Sequence, residues 1–373
     1  MPDGSESARP AYLAWFRSNQ TAQAILWPVV ALLILLAFNV IFTPGYLNLQ
    51  VVDGRLSGYL VDIFRDGSSV MLLSIGMTLV IATGGVDLSV GAIMAIAAVL
   101  SASMVTPEWN DANLGAWANT MLDSHTSAWI AIVVLVALVA SVLSGIWNGM
   151  LVSVFRMQPI IATLVLMVAG RGIAQLISNG RIFTYDLPAL EVIGKGTLVG
   201  LPVSLLIVGI VFVLAAFLVR RTAIGLMIES VGDNDVASRA CGVPVRRIRF
   251  MVYMASGLCA GLAGLIESTN VSSANANQVG LYAELDAIFA VVVGGTALTG
   301  GRFFLVGSII GALLIQTLTN TMYAQEVRPE IALIPKALVI ISVCLLQSPS
   351  FRKRVFGVLH RGPRSVAPTK GAA

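Results

Sequence analysis

Long apolar stretches separated by short polar connections run through most of this 373-residue chain. Most of these stretches are about 20 residues long, which is the length of α-helix that crosses the roughly 30 Å hydrocarbon core of a bilayer. The pattern predicts ten membrane-spanning helices, near residues 23–42, 68–84, 88–105, 129–154, 160–178, 200–219, 250–269, 284–296, 303–323 and 332–348. We therefore expect an all-α polytopic membrane protein.

Glycine pairs break two of the predicted spans. The pair at 84–85 precedes Asp87 inside an apolar region, and the pair at 294–295 ends an apolar run of about 11 residues, or about 17 Å of helix. A glycine pair weakens a helix, and an aspartate at the centre of a span costs roughly 2.5–3.5 kcal/mol on insertion. Irregular backbone persists at membrane depth only where protein buries it or where it lines a water-filled cavity. Broken helices near 84–88 and 294–301, in corresponding halves of the chain, therefore predict a path for a hydrophilic solute.

Composition excludes most other classes of protein. Hydrophobic residues make up 57% of the chain and charged residues 11%, with a mean hydropathy of +0.88, whereas soluble domains carry about 25% charged residues. Two histidines and three cysteines without CxxC spacing disfavour zinc chemistry and a Ser-His-Asp triad, so we expect no metal site and no catalytic residues. The chain has no Walker A sequence, so any ATP must bind another subunit.

Lysine and arginine sort by predicted loop. With the N-terminus in the cytoplasm, 16 of them fall in cytoplasmic segments and 5 in external ones, which is the positive-inside pattern and not a nucleic-acid-binding patch. The even number of spans places both termini inside. We predict a cytoplasmic N-terminal segment at 1–22, a transmembrane domain at 23–348 with a cytoplasmic loop at 220–249, and a basic cytoplasmic tail at 349–373. The Ser/Asn-rich segment at 270–284 has no basic residue and is predicted as an external loop.

Polar residues within or at the ends of spans are candidates for contact with the solute, because ionisable groups in a membrane usually face the bundle interior. Asp87 has two compatible interpretations: it caps the following helix by accepting from amides near Ser89, or it lines the path. Arg171 lies near an outer end, where it can snorkel to the interface, and Glu267 and Asp286 can simply mark span ends. The path candidates are Thr83, Asp87, Ser89, Asn148, Arg171, Glu267, Asn270 and Asp286.

Glycines also recur at Gly-xxx-Gly spacing within three spans. The pairs are at 145/149, 257/261 and 307/311. Small residues at this spacing let helix backbones approach closely. We favour packing within the chain over a dimer interface as the role of these pairs.

The loop at 220–249 contains a short helix signal. Asp233 or Asn234 is a suitable N-cap, residues 236–241 can form one or two turns, and Gly242 followed by Pro244 is a typical helix stop. A short capped helix on this side of the membrane is either a connector that lies on the surface or a docking element for a partner. The local pattern does not distinguish the two.

Several motifs together carry a resemblance to a known family. They are Gly76-Met-Thr-Leu-Val-Ile with Gly85-Val-Asp-Leu-Ser-Val-Gly91, Ile160-Ile-Ala-Thr-Leu, Val231-Gly-Asp-Asn with Ala237-Ser-Arg, and Glu284-Leu-Asp-Ala-Ile with Val291-Val-Val-Gly-Gly-Thr. In this combination the chain resembles the permease subunit of bacterial sugar ABC importers, the ribose/xylose/arabinose/galactofuranose class, over residues 53 to 347. Residues 53–56, 62–63 and 167–177 look most similar to the galactofuranose type. The family usually shows a second glycine at the position of Asp233, and an acidic side chain near a helix N-terminus suits the helix dipole.

The resemblance implies a transport subunit in the bacterial inner membrane that forms the path for a monosaccharide, with galactofuranose as the specific candidate. It implies a second permease chain in a homo- or heterodimer, cytoplasmic ATP-binding subunits, and a periplasmic sugar-binding protein. No cofactor is expected on this chain, and ATP is expected on the partner subunit. The 231–242 segment would be the coupling helix that docks on the ATPase, with the contact residues Gly232, Asn234, Asp235, Ala237, Arg239 and Gly242.

Two alternative functions remain open from sequence. A cation-coupled secondary transporter fits the broken helices, needs no partner ATPase, and gives no reason for the capped cytoplasmic helix. An ABC permease for branched-chain amino acids is the closer alternative, and it would be expected to place complementary charges for a zwitterion in the path. An intramembrane enzyme would need a catalytic constellation that the spans do not show.

Overall fold

The computed structural model describes residues 20–52, 55–198 and 200–347, and these residues form fifteen α-helices and three two-stranded antiparallel sheets. The helices are α1 Gln20–Phe42, α2 Tyr59–Ala82, α3 Val90–Met104, α4 Pro107–Asn113, α5 Ala116–Ser124, α6 Thr126–Ser153, α7 Pro159–Ser178, α8 Pro188–Lys195, α9 Val203–Arg221, α10 Ala223–Asp233, α11 Asp235–Ala240, α12 Val245–Val271, α13 Ala283–Val293, α14 Leu305–Ala324 and α15 Pro329–Gln347. The strands are β1 Gln50–Val52, β2 Arg55–Ser57, β3 Phe183–Thr184, β4 Thr197–Leu198, β5 Leu201–Pro202 and β6 Ser273–Ala274, paired β1–β2, β3–β6 and β4–β5.

Each of the ten predicted spans coincides with a helix. Within the described ranges, seven of these helices are long and apolar enough to cross a membrane: α1, α2, α6, α7, α9, α12 and α14. The number rises to eight if α3 and α4, which bend by 93° at their junction, count as one span. The protein is therefore an all-α, multi-pass membrane protein with breaks at the two predicted places. The count of ten crossings and the cytoplasmic position of both termini stay predictions, and residues 1–19 and 348–373 lie outside the described residues.

The helices separate into an inner and an outer set. In α2, 83% of the residues in its 18-residue apolar stretch are buried inside the protein, against 11% for the corresponding stretches of α1 and α9. The inner set, α2, α3, α12 and α14, forms the core, and the outer helices expose aliphatic side chains such as Val168 and Leu176. Exposed apolar faces on helices of this length are the surfaces that a bilayer covers.

Glycines allow the closest helix contacts, as the Gly-xxx-Gly spacing predicts. A Cβ atom built on Gly257 would lie 2.9 Å from the Gly145 Cα, where α12 crosses α6. A Cβ atom on Gly307 would lie 2.0 Å from the carbonyl oxygen of Gly294. Both contacts lie within one chain, so packing within the chain is confirmed as a role of these glycines.

The two ends of the bundle differ in their connections. We define the arginine-rich face as the end that carries α10, α11 and the segments 154–158 and 294–304, and the opposite face as the end that carries α4, α5 and α8. On the opposite face, strand β3 pairs with β6, and the Tyr185 hydroxyl lies 3.0 Å from Ser268 Oγ. Burial raises the pKa of Tyr185 to about 12, so this hydroxyl stays protonated. Lys195 Nζ donates to Glu191 (3.1 Å) within α8 and to the Ser272 hydroxyl, and the Ser272 hydroxyl donates to Glu191, which links α8 to the end of α12.

The segment between α12 and α13 re-enters the bundle, which corrects the predicted external loop at 270–284. Gly280 packs on the first turn of α3, since a Cβ atom there would lie 2.5 Å from the Gly91 carbonyl oxygen. Helix α13 begins at this depth and runs to the arginine-rich face. Its 11 residues give about 17 Å of helix, so the preceding segment supplies the remaining depth.

Candidate functional site

Asp87 is fully buried and holds the first break against two other helices. Its Oδ1 accepts the Ser89 amide (3.1 Å) and hydroxyl (2.6 Å), and its Oδ2 accepts the Ser256 hydroxyl of α12 (2.8 Å). Asn148 of α6 donates to Ser89 Oγ (2.7 Å) and, at 3.4 Å, to Asp87 Oδ1. The predicted hydrogen bond to the Ser89 amide is present, but Ser89 is itself the N-cap residue of α3 and no side chain caps that helix, so the predicted capping by Asp87 is wrong. The same carboxylate also joins three elements, which we call the Asp87 cluster: Asp87, Ser89, Asn148 and Ser256.

The Asp87 cluster lies well inside the bundle. Ser256 is eleven residues beyond the first residue of α12, which corresponds to about 16 Å along the helix. Two buried oxygens beside it, Asn148 Oδ1 and Tyr253 Oη, have no protein partner among the described residues. Tyr253 packs so closely on Gly85 that a Cβ atom there would lie 2.5 Å from its hydroxyl. Hydroxyl, amide and carboxylate groups at this depth are suited to sugar hydroxyls, which need both donors and acceptors.

Thr83 and Gly84 end α2 at the arginine-rich face. The Thr83 hydroxyl donates to the carbonyl oxygen of Val80 (2.8 Å), so this path candidate closes the last turn of its own helix. Gly84 then turns the chain with φ +77°, a conformation that side chains disfavour. Thr83 therefore belongs to the turn and not to the Asp87 cluster.

Arg171 holds the re-entrant segment in place. Its guanidinium donates to the carbonyl oxygens of Ala276 (2.9 Å), Val279 (2.5 Å) and Gly280 (3.4 Å), and Glu267 Oε1 accepts the Gly280 amide (3.2 Å). Arg171 is twelve residues into α7, or about 18 Å along it. The interpretation that Arg171 snorkels to the interface is therefore wrong, because its guanidinium group donates to the carbonyl oxygens of irregular backbone that is buried in the bundle. Glu267 likewise does more than mark a span end.

The remaining path candidates, Asn270 and Asp286, lie apart from both groups. Asp286 Oδ1 and Oδ2 accept from Lys336 Nζ at 2.8 and 2.7 Å, which links α13 to α15. Asn270 Oδ1 packs on α8, where a Cβ atom on Gly194 would lie 2.6 Å from it. The structure thus brings Asp87, Ser89 and Asn148 together, pairs Arg171 with Glu267 around the re-entrant segment, and separates the other three.

The predicted short helix exists in the loop on the arginine-rich face. Asn234 is its N-cap, with Oδ1 accepting the amides of Val236 (3.1 Å) and Ala237 (2.9 Å), and Gly242 ends it with φ +83°. The Ser238 hydroxyl donates to the Ser230 carbonyl oxygen (2.7 Å), which fixes α11 on α10. Val236 is 72% exposed, so α11 presents a free surface.

Both breaks meet this loop at a group of glycines. A Cβ atom on Gly232 would lie 1.8 Å from the carbonyl oxygen of Ala82, the last residue of α2, and Gly301 donates its amide to the same oxygen at 2.9 Å. A Cβ atom on Gly300 would lie 2.8 Å from the Gly84 amide nitrogen and 2.9 Å from the Gly232 carbonyl oxygen. We call Gly84, Gly232, Gly300 and Gly301 the glycine junction. It joins the C-terminal end of α10 directly to the break after α2 and to the segment after α13.

Comparison with known proteins shows the family to which this chain belongs. A family model described as "Branched-chain amino acid transport system / permease component" matches residues 59–344. The chain belongs to this permease family. Members with curated names include the galactofuranose transporter permease protein YtfT of Escherichia coli (strain K12), which is 42% identical to this chain over 90% of its length and 94% of the relative's length.

Other similar members of the permease family are also named for sugars. The fructose import permease protein FruF of Bifidobacterium longum is 36% identical over 87% of this chain and 88% of its own length. The ribose import permease protein RbsC of Escherichia coli (strain K12) is 35% identical over 86% of this chain and 92% of its own length. The predicted resemblance to sugar importer permeases, and to the galactofuranose type among them, is confirmed. No solved structure matches the chain significantly.

Proposed function

We propose that this chain is the transmembrane permease subunit of an ATP-driven, binding-protein-dependent importer, and that it forms the path for a monosaccharide. The observation that carries the proposal is the glycine junction, through which the end of α10, the helix that leads into the capped and exposed α11, contacts both broken spans. The relatives named for galactofuranose, fructose and ribose support a sugar as the solute. Galactofuranose is the specific candidate, because the relative of that name shares 42% identity with the chain.

The proposed mechanism is alternating access. Partner subunits hold the ATP, and their motion displaces α11 and, through Gly232, the end of α2 and the segment after α13. Displacement of α2 acts on the Asp87 cluster, and displacement of α13 acts on the re-entrant segment held by Arg171. Sugar released by the binding protein would pass polar groups such as these through weak contacts, because a tight site would slow its exit.

The proposed assembly contains several other chains. A second permease chain, in a homo- or heterodimer, and two ATP-binding subunits complete the membrane complex, and a periplasmic sugar-binding protein delivers the solute. The arginine-rich face would lie in the cytoplasm of a bacterial inner membrane, in agreement with the positive-inside pattern. Gly232, Asn234, Asp235, Ala237, Arg239 and Gly242 would contact or shape the ATPase-docking surface.

The buried charges favour a sugar over a branched-chain amino acid. A zwitterion needs a cation and an anion free to face it. The guanidinium group of Arg171 donates to backbone carbonyl oxygens and lies near the charges of Glu284 and Glu267. The carboxylate of Asp286 is paired with Lys336. These charges are engaged in holding the protein together, and the Asp87 carboxylate accepts from Ser89 and Ser256, so its cluster offers mainly hydroxyl and amide groups.

Uptake of labelled sugars into reconstituted vesicles tests the proposal. We expect uptake that requires ATP, the ATPase and the binding protein together. The variant Asn234→Ala with Arg239→Ala should still assemble in the membrane but lose uptake, because α11 loses its cap and its exposed charge. Uptake by this chain alone, driven by a proton or sodium gradient, would contradict the proposal and favour a secondary transporter.

A further inference from the structure

A pocket of about 300 Å³ opens on the arginine-rich face, beside α11. It lies between the 154–158 turn that joins α6 to α7, helix α11 and the first turns of α12. Four arginines line it, and one acidic residue: Arg156, Arg239, Arg246, Arg249 and Asp235. The lining therefore carries a net charge of +3. We call it the arginine pocket.

The acidic residue does not neutralise the pocket. Asp235 lies 2.8 Å from Arg239 and 3.6 Å from Arg249, so it is shared by these two. Arg156 and Arg246 have no carboxylate partner within the described part of the chain. Guanidinium groups match phosphate oxygens with paired donors, and they are more weakly hydrated than ammonium groups. The unpaired arginines therefore suit a phosphate group.

Exposed apolar side chains flank the pocket-lining residues in sequence, at the end of α6 and the start of α7. Val154 and Phe155, which precede Arg156, are 57% and 63% exposed, and Ile160 and Ile161 at the start of α7 are 42% and 51% exposed. Basic pockets between membrane helices on the cytoplasmic side are typical binding sites for anionic lipid head groups. An inorganic phosphate ion or a carboxylate from a partner protein would need no apolar strip beside it.

We propose that the arginine pocket binds the phosphate of an anionic ligand, and that this ligand is a phospholipid whose acyl chains lie along Val154, Phe155 and the start of α7. Because the pocket includes residues of α11, α12 and the 154–158 turn, a bound head group bridges the α10–α11 loop to the turn between α6 and α7. The lipid would thus stabilise the position of α11 from the membrane side. The proposal concerns lipid binding and does not depend on the transported solute.

Lipid binding to the purified full-length chain tests this directly, with phosphatidylglycerol against phosphatidylcholine counted by native mass spectrometry. The pocket variant is Arg156→Gln with Arg246→Gln. The matched control is Arg220→Gln with Arg221→Gln, two arginines at the end of α9 on the same face and outside the pocket. We expect preferential binding of phosphatidylglycerol, weakened about thirtyfold in the pocket variant, as two juxtamembrane arginines imply, and almost unchanged in the control.

Two further arms separate the sources of the anion. Inorganic phosphate is titrated against the bound lipid; pocket-dependent binding of phosphate without any preference for phosphatidylglycerol would overturn the lipid assignment. Association with the ATPase is measured for the same variants. Equal phosphatidylglycerol binding in wild type and pocket variant, or loss of ATPase association alone, would overturn the proposal in favour of a protein-docking role. Equal loss in the control variant would reduce it to a general surface-charge effect and overturn it as well.

Discussion

At the scale of single residues, the irregular backbone of the bundle depends on how the buried polar side chains around it are partnered. Ser256 and Ser101 are both buried serines in spans, yet they act differently. The Ser256 hydroxyl donates to Asp87 across two helices (2.8 Å), whereas the Ser101 hydroxyl donates to the Ala98 carbonyl oxygen of its own helix (2.9 Å). Of these two hydroxyls, only that of Ser256 helps to hold the irregular segment after α2 in place.

We predict that Ser256→Ala lowers the free energy of unfolding by about 1–2 kcal/mol, because it leaves a carboxylate oxygen of Asp87 without its donor. Ser101→Ala should change it by much less, since the carbonyl oxygen of Ala98 keeps its helical bond. Tryptophan fluorescence during unfolding of the solubilised chain measures both. Equal losses in the two variants would show that the Asp87 cluster is not a distinct source of stability.

Sequence identified some of these residues and missed others for a physical reason. Asp87 and Asn234 stand out because their side-chain oxygens accept backbone amides two or three residues further along, and the local pattern records that. Ser256 is 169 residues from Asp87, and a serine in a spanning helix more often bonds its own helix, as Ser101 does. Tyr253 gives no polar signal at all within an apolar span.

At the scale of elements, the re-entrant segment between α12 and α13 is the largest departure from expectation. Its Ser/Asn-rich composition predicts an external loop, because free carbonyl groups are costly inside a membrane. Arg171, on a helix about 100 residues earlier in the chain, satisfies those groups. A compensating partner so distant leaves no mark on the local sequence, whereas each of the ten apolar runs coincides with a helix.

We expect Arg171→Lys to loosen this segment, because one ammonium group cannot reproduce a guanidinium that reaches three carbonyl oxygens. The measure is the rate at which a membrane-impermeant maleimide labels Ala276→Cys, a buried position. Labelling should rise about fivefold, the change that a loss of about 1 kcal/mol in the opening equilibrium gives. Arg181→Lys, an exposed arginine nearby, is the control, and an unchanged rate in both variants would rule out the role of Arg171.

The ion pair between Asp286 and Lys336 gives a second prediction about elements. Lys336→Met alone should destabilise the chain by about 2 kcal/mol or more, because it leaves the mostly buried Asp286 unpaired. The double variant, with Asp286→Leu added, should recover most of that loss, since both charges are then removed. Unfolding of the two variants is compared under the same conditions, and a double variant less stable than the single one would refute this interpretation.

At the scale of the whole molecule, the glycine junction brings together features that the sequence indicates only separately. Two broken spans and a capped loop helix lie far apart in the chain: Gly84, Gly232 and Gly300 are more than 60 residues from one another in sequence. Their contact depends on the packing of α2 against α12 and α14. No local pattern could have predicted this contact, because a glycine in the sequence indicates that another backbone can approach closely but does not indicate which one.

The most direct test of the account is Gly232→Ala in the reconstituted complex, compared with Gly209→Ala, a glycine of α9 with no atom within 4 Å of an added Cβ. Both variants should assemble in the membrane, and Gly209→Ala should bind the ATPase and support ATP hydrolysis as the wild type does. Sugar uptake should fall about tenfold in Gly232→Ala, as a loss of about 1.4 kcal/mol of coupling implies, and stay near the wild-type value in Gly209→Ala. Uptake by Gly232→Ala equal to that of Gly209→Ala would contradict the claim that the junction transmits motion from α11 to the broken spans.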